Sequence, residues 1–207
     1  LFAKRLELVS QVGEVKHEKG LPIYAPDREL AMLQARREEA AKAGISPQLI
    51  EDVLRRFMRE SYSNENQFGF KTLNPAINKI VIVGGYGKMG QLFARYLRAS
   101  GYPISILDRD DWDVAERILT NADVVIVSVP IDHTLETIER LKPYLTENML
   151  LADLTSVKRA PLAKMLDVHK GDVVGLHPMF GPDIASMAKQ VVVRCDGRFS
   201  ERYEWLL

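Results

Sequence analysis

Cysteine is nearly absent: Cys195 stands alone among 207 residues. A lone thiol excludes an internal disulfide framework and suits a reducing, cytoplasmic setting. It has no Cys/His cluster around it in the sequence, so we expect no metal site and read Cys195 as a small interior residue. A charge excess is missing too, with 28 basic against 28 acidic side chains. Residues 1–75 hold 12 Lys/Arg and 11 Asp/Glu, and the remainder 16 and 17. Neither part has the bias of a nucleic-acid binder or a polybasic membrane binder. No apolar run approaches the roughly 18 residues that a membrane span requires. The opening "LFAKRLELVSQVGEV" carries charge throughout and has no cleavage pattern of a secretory signal. It also lacks an initiator Met, and "GRFSERYEWLL" stops where a helix begins, so the sequence reads as a piece of something longer.

What remains is ordinary globular composition, 46% hydrophobic and 27% charged, arranged in two different periodicities. Leu6, Val9, Val12 and Val15 recur at helical spacing and predict the latter part of an amphipathic helix over residues 1–19. "KGLPIYAP" interrupts it. Asp27 is the expected N-cap of a second helix that ends at Gly44. Ser46 and Pro47 restart a third as N-cap and first helical residue. That helix carries Leu49, Ile50, Val53, Leu54, Phe57 and Met58 on one stripe and runs to about Asn66. Three such helices bury little by themselves, so partner helices from a second chain are expected. The sequence divides into a helical domain at 1–67, a linker at 68–77 and a second domain at 78–207.

In the second domain β-branched runs appear at 79–83, 103–107, 123–129, 149–154, 172–176 and 190–194. Helical stretches separate the first four. Continuous rather than alternating apolar runs predict a Rossmann-type α/β domain, its parallel sheet covered on both faces. In "KIVIVGGYGKMG", Gly85, Gly87 and Gly90 fit G-x-G-x-x-G directly after a strand and at a helix start. The glycines allow a tight turn, close approach of a pyrophosphate and close helix–sheet packing, with Tyr86, Lys88 and Met89 between them. Helix-start N–H groups then face the phosphates. The second strand ends at Asp108, eighteen residues beyond Gly90, where a carboxylate can bond both ribose hydroxyls of NAD. The adjacent Arg109 leaves NADP open. Ser128, Val129 and Pro130 end the third strand where a loop would border the cofactor, or where a proline simply stops a strand.

These motifs resemble a known pair of families. "IVGGYGKMG", "DVVIVSVP", "DLTSVK" and "GLHPMFGP" are similar, in this order, to prephenate dehydrogenases. "AKRLELVSQVGEVK", "PDRE" and "LRRFMRESYSNEN" look like the small all-helical chorismate mutases. The resemblance covers essentially the whole chain and implies a fused enzyme of tyrosine biosynthesis. Such an enzyme rearranges chorismate to prephenate, then oxidises and decarboxylates prephenate to 4-hydroxyphenylpyruvate with NAD. The family is cytoplasmic and dimeric and has a further helical C-terminal domain.

Residue by residue, the resemblance has Arg5 and Arg28 grip substrate carboxylates, Lys16 donate to the ether oxygen and Glu29 bond the hydroxyl. The rearrangement needs no nucleophile, only a dianion held in its reactive conformer and charge stabilised on that oxygen. Arg5 and Lys16, eleven residues apart, share a helix face, and Ser61 and Glu65 lie one turn apart. Glu65 stands where many relatives carry Gln and must be protonated to donate, which implies a mutase favoured by acid. Ala25 replaces an acid of some relatives. The dehydrogenase step needs a neutral imidazole to polarise the substrate hydroxyl. Of His17, His133, His169 and His177, the last ends a predicted strand ahead of the rigid "PMFGP", and the resemblance makes it the acceptor. Ser156 would orient it. Lys158 would attract a dianionic substrate or form a surface ion pair. Two other readings stay open on the residues alone. One is a different Rossmann reductase or dehydrogenase, of arogenate, hydroxyacid or imine type, with a helical dimerisation module. The other is an NAD-sensing dimerisation module without turnover.

Overall fold

The computed structural model describes residues 2–19, 26–65, 74–184, 187, 189–198 and 200–206. The chain forms two compact units, one built on the N-terminal helices and one on the remainder, with Met187 and Lys189 grouped with the helices.

In the first unit, α1 (Phe2–Lys19), α2 (Pro26–Lys42) and α3 (Pro47–Glu65) pack with α3 against both others. The expected N-cap Asp27 lies inside α2, because the helix starts one residue earlier, at Pro26. Proline's fixed φ and missing N–H suit a first helical position, and Asp27 and Glu29 then place negative charge in the first turn. Gly44 closes α2 at φ +68. The Ile45 amide donates to Ala40 (2.9 Å) and that of Gly44 to Ala41 (3.2 Å), the paired bonds of a Schellman end. Ser46 caps α3, its Oγ accepting from the Leu49 amide at 3.4 Å. The apolar stripe of α3 is only half covered. Met58 is buried, whereas Leu49 and Val53 are exposed, as are Leu8, Val12 and Val15 on α1.

The second unit is a six-stranded sheet in the order β2-β1-β3-β4-β5-β6. Its strands are β1 (Ile80–Val83), β2 (Ile104–Leu107), β3 (Val124–Val127), β4 (Leu150–Asp153), β5 (Asp172–Pro178) and β6 (Val192–Arg198). The first five are parallel and β6 is antiparallel to β5. Helices α4 (Lys88–Ala99), α5 (Ala115–Leu119), α6 (Ile131–Leu141) and α7 (Arg159–Val168) supply the crossovers. Every residue of β1, β3 and β4 is buried, which is why their runs are apolar throughout. Odd and even strand positions feed two cores. Val81, Val83, Val125 and Leu151 pack with α5, α6 and α7 residues, and Ile80, Ile82, Val124 and Ile126 pack with Ala94 and Tyr203.

Several boundaries differ from expectation, among them that of β6, which runs over Val192–Arg198 where 190–194 was expected. Ile77 is buried in the second core, and the Asn74 amide donates to the Tyr102 hydroxyl (3.1 Å). The expected linker therefore ends before residue 74. β5 continues through Pro178 because β6 pairs with it, His177 opposite Val193 and Pro178 opposite Val192. His177 is consequently inside the strand, near its end.

Candidate functional site

Sheet order reverses at β1, which has β2 on one side and β3 on the other. The carboxyl ends of such strands frame the crevice where open α/β sheets hold ligands. The turn leaving β1 is shaped by close backbone contacts. Gly84, at φ +78, would place a Cβ 2.7 Å from the Ser128 carbonyl oxygen and 2.8 Å from Val129 Cγ1. On Gly85 it would meet Ile106 at 2.8 Å, and on Gly90 the Gly84 oxygen at 2.6 Å. Gly87 is less crowded, at 3.2 Å from that oxygen. The turn is thus wedged between "SVP" and the second strand. Gly84 was not among the sequence candidates. The doubled glycine in "VGGYG" was its signal, and the positive φ explains it.

Gly87 is the N-cap of α4 and makes no side-chain capping bond, so the first-turn amides of Lys88, Met89 and Gly90 point outward as helix-start donors. Asp108 lies just past β2, and its Oδ2 accepts the Tyr86 amide at 3.0 Å. Its Oδ1 accepts the Arg109 amide at 2.9 Å. The carboxylate is thereby fixed beside the glycine turn. Ser128 stays attached to β1 through its amide, which donates to the Val83 carbonyl (2.8 Å), and Pro130 leads into α6. The structure therefore gathers Gly84–Gly90, Asp108 and Ser128–Val129 at one place. A cleft of about 570 Å³ borders the turn at Gly85, Tyr86 and Lys88, with Pro182 and Asp183 on its rim. The chain that follows His177 thus returns to the glycine turn.

The other candidates sit on the neighbouring strand ends. His177 is half-buried near the end of β5. Ser156 is exposed in the loop after β4. Lys158 is not directed at solvent. Its Nζ donates to Asp153 Oδ2 at 2.6 Å, to the Leu176 carbonyl at 2.8 Å and to the Asp153 carbonyl at 3.4 Å. Burial pushes the Lys158 ammonium below the ordinary lysine range, and the hydrogen bond and charge of Asp153 oppose that shift. The ion pair is an internal one. Asp153 and Thr155 were missed in the sequence, although an acid closing the apolar run "MLLADL" is unusual. His169, by contrast, is buried at the end of α7, with Nε2 2.9 Å from the Met149 carbonyl.

In the first unit Lys16 is half-buried on α1 and Arg28 exposed on α2. Glu29 is buried and ion-paired with Arg55 at 3.6 Å and with Lys189. Ser61 is buried and donates to the Phe57 carbonyl at 2.9 Å. The side chains of Arg5 and Glu65, and residue Ala25, lie outside the described residues. Among the described residues no cluster of His, Cys, Asp and Glu could hold a metal ion, and no helix is long and apolar enough to cross a membrane.

Comparison with known proteins places these units. Residues 1–66 match the family model of chorismate mutase type II. Residues 99–198 match that of the prephenate dehydrogenase nucleotide-binding domain, so the glycine turn itself rests on geometry. The chain is 86% identical over 207 residues to a T-protein of Haemophilus influenzae, and 58% identical over 207 residues to one of Enterobacter agglomerans. It covers 55% of each, with all of this chain aligned; the chain spans about half the length of these curated relatives. Among solved structures, prephenate dehydrogenase from A. aeolicus in complex with hydroxyphenyl propionate and NAD+ superposes with a TM-score of 0.52 at 22% identity. That superposition covers 63% of this chain and 55% of the other, and shows the shared fold. The chain is therefore similar to the chorismate mutase type II family over residues 1–66 and to the nucleotide-binding domain of the prephenate dehydrogenases over residues 99–198.

Proposed function

We propose that the protein carrying this chain converts chorismate to prephenate on its helical unit. Its sheet unit then oxidatively decarboxylates prephenate to 4-hydroxyphenylpyruvate with NAD. The observation that carries this reading is the course of the chain after β5. His177 lies near the end of that strand, and the segment beyond it reaches the rim of the glycine turn.

The residues fit NAD. Positions 84, 85, 87 and 90 form a cradle that side chains would fill, the α4 start offers backbone donors, and Asp108 is fixed next to the turn. NAD held there would supply the hydride acceptor for the ring carbon that bears the substrate hydroxyl. His177, neutral, accepts the hydrogen bond of that hydroxyl and takes up its proton as positive charge develops on oxygen. Ser156 bonds the same hydroxyl and holds it towards the imidazole. Once the ring carboxylate leaves as CO2 and the ring becomes aromatic, His177 returns the proton to the phenolic oxygen. Atoms and charge balance without a metal.

For the mutase, Arg28 with Arg5 holds the dianion, Lys16 stabilises the ether oxygen, and Glu29, Ser61 and Glu65 complete the pocket. The uncovered apolar positions Leu8, Val12 and Val15, spaced along one face of α1, favour a homodimer in which helices of a second copy cover them. The substrates are small molecules, and we place the enzyme in the cytoplasm.

The test uses the full-length protein, supplied with chorismate and NAD and monitored for NADH and 4-hydroxyphenylpyruvate. Arg28→Ala abolishes the reaction started from chorismate and spares the one started from prephenate. His177→Asn keeps the mutase and stops NADH formation. NADH production at the native rate by His177→Asn refutes the dehydrogenase assignment.

A further inference from the structure

A carboxylate with 0% exposure closes β4. Leu150, Leu151 and Ala152 show what the sheet interior asks for at this depth, and Asp153 is not needed for packing. A buried charge is tolerated only when paired, and a buried ion pair is by itself weak evidence for stability. Its partner is equally out of place. Lys158 occupies the N-cap position of α7, where the helix dipole disfavours a cation. Two unfavourable placements that satisfy each other at 2.6 Å point to a use in geometry.

Parallel pairing of β4 with β5 ends at Asp153 opposite Gly175. The next carbonyl along β5, that of Leu176, lies beyond the end of β4. Lys158 Nζ fills that role, donating to the Leu176 oxygen at 2.8 Å, and the residue after Leu176 is His177. Gly175 makes this crossing feasible, since a Cβ there would fall 2.9 Å from Lys158 Cδ and 3.3 Å from Asp153 Oδ1. The same carboxylate holds the loop on the other side. Asp153 Oδ2 accepts the Thr155 amide at 3.1 Å and the Thr155 hydroxyl. That hydroxyl's single proton is shared with the Val157 carbonyl at 2.9 Å. Thr155 and Val157 flank Ser156. Asp153 Oδ1 is buried without a partner among the described residues, so all anchoring passes through Oδ2.

We propose that Asp153 is a positioning residue of the dehydrogenase site: through Lys158 it fixes the backbone that directs His177, and through Thr155 the loop that presents Ser156. This rests on the roles given to His177 and Ser156 above. Lys158 is the strut between the two strand ends, and its three donors are consumed inside the protein.

The full-length protein tests this, with mutase turnover in the same chain as the control for folding. Asp153→Asn lowers kcat for prephenate at least tenfold while the Kd for NADH and the mutase kcat stay within twofold of native. Added to the variant His177→Asn/Ser156→Ala, it lowers the residual rate less than threefold further, because both groups that it positions are then gone. Should Asp153→Asn fold poorly, the double variant Asp153→Asn/Lys158→Met removes both charges together and is expected to fold and to be as slow. The proposal is overturned if either variant keeps more than half the native kcat. It is also overturned if NADH affinity falls in parallel with turnover, or if the losses multiply in the His177→Asn/Ser156→Ala background. Native turnover by His177→Asn alone would remove the reading beneath it, and is distinguishable because Asp153 is intact in that variant.

Discussion

Replacing Gly90 by alanine sets two known effects against each other. Gly90 lies in the first turn of α4, and alanine in a helix interior is favoured over glycine by about 1 kcal/mol. Propensity alone therefore predicts a more stable protein. The added methyl, however, would sit 2.6 Å from the Gly84 carbonyl oxygen and 2.8 Å from Gly85 Cα. Ordinary carbon contacts begin near 3.5 Å, and both obstacles are backbone, with no rotamer to yield. Relief requires the turn and the helix start to part by most of an ångström. Overpacking of this kind costs about 1–3 kcal/mol, which outweighs the propensity gain. The displaced turn also misaligns the amides that would face the pyrophosphate. Loss of one hydrogen bond to a charged group, about 1.5–3 kcal/mol, corresponds to a roughly 10- to 100-fold rise in the Kd for NADH. Titration of NADH fluorescence on the full-length protein reads this, with mutase turnover as the control. Gly87→Ala, whose nearest contact is 3.2 Å, destabilises less. A Gly90→Ala protein that binds NADH within twofold of native would refute the packing argument.

Other outcomes follow from individual titratable groups. Burial is the main cause holding His169 below its ordinary pKa of 6.5, the nearby Arg198 adds to it, and the hydrogen bond to Met149 opposes it. Its folded pKa is depressed, so the unfolded chain binds the extra proton. The stability it contributes is present above about pH 6.5 and lost progressively as pH falls below. Amide exchange in β4 and β5 is therefore expected to accelerate from pH 7.5 to 5.5 beyond its intrinsic pH dependence, and less so in His169→Gln; parallel profiles in the two proteins would contradict this. If Glu65 donates in its protonated form, Glu65→Gln moves the mutase optimum towards neutral pH, and identical pH–rate curves for the two proteins would exclude that role.

Much of the second unit was legible because its physics is local. A strand buried on both faces must be apolar at every position, so β1, β3 and β4 announced themselves as uninterrupted runs. The restart at Ser46-Pro47 is likewise decided within four residues. The length of β5 was not legible. Its last residues are strand because β6, some fifteen positions later, pairs with them. The covering of α1 and α3 was not legible either, since a stripe says which face seeks burial and not what buries it.

The same division runs through the candidate site. Glycine spacing, an acid eighteen residues on, and a histidine before "PMFGP" marked positions that the fold sets at the carboxyl ends of β1, β2 and β5; each residue type carries its property wherever the fold puts it. Lys158 shows the limit. In the sequence it is a cation in a loop, free to attract an anion; in the fold it is a half-buried strut between Asp153 and the Leu176 carbonyl. Nothing in the order of residues sets those two strand ends side by side. That depends on the parallel packing of β4 on β5, and hydrogen bonds between distant segments exist only once the sheet has formed.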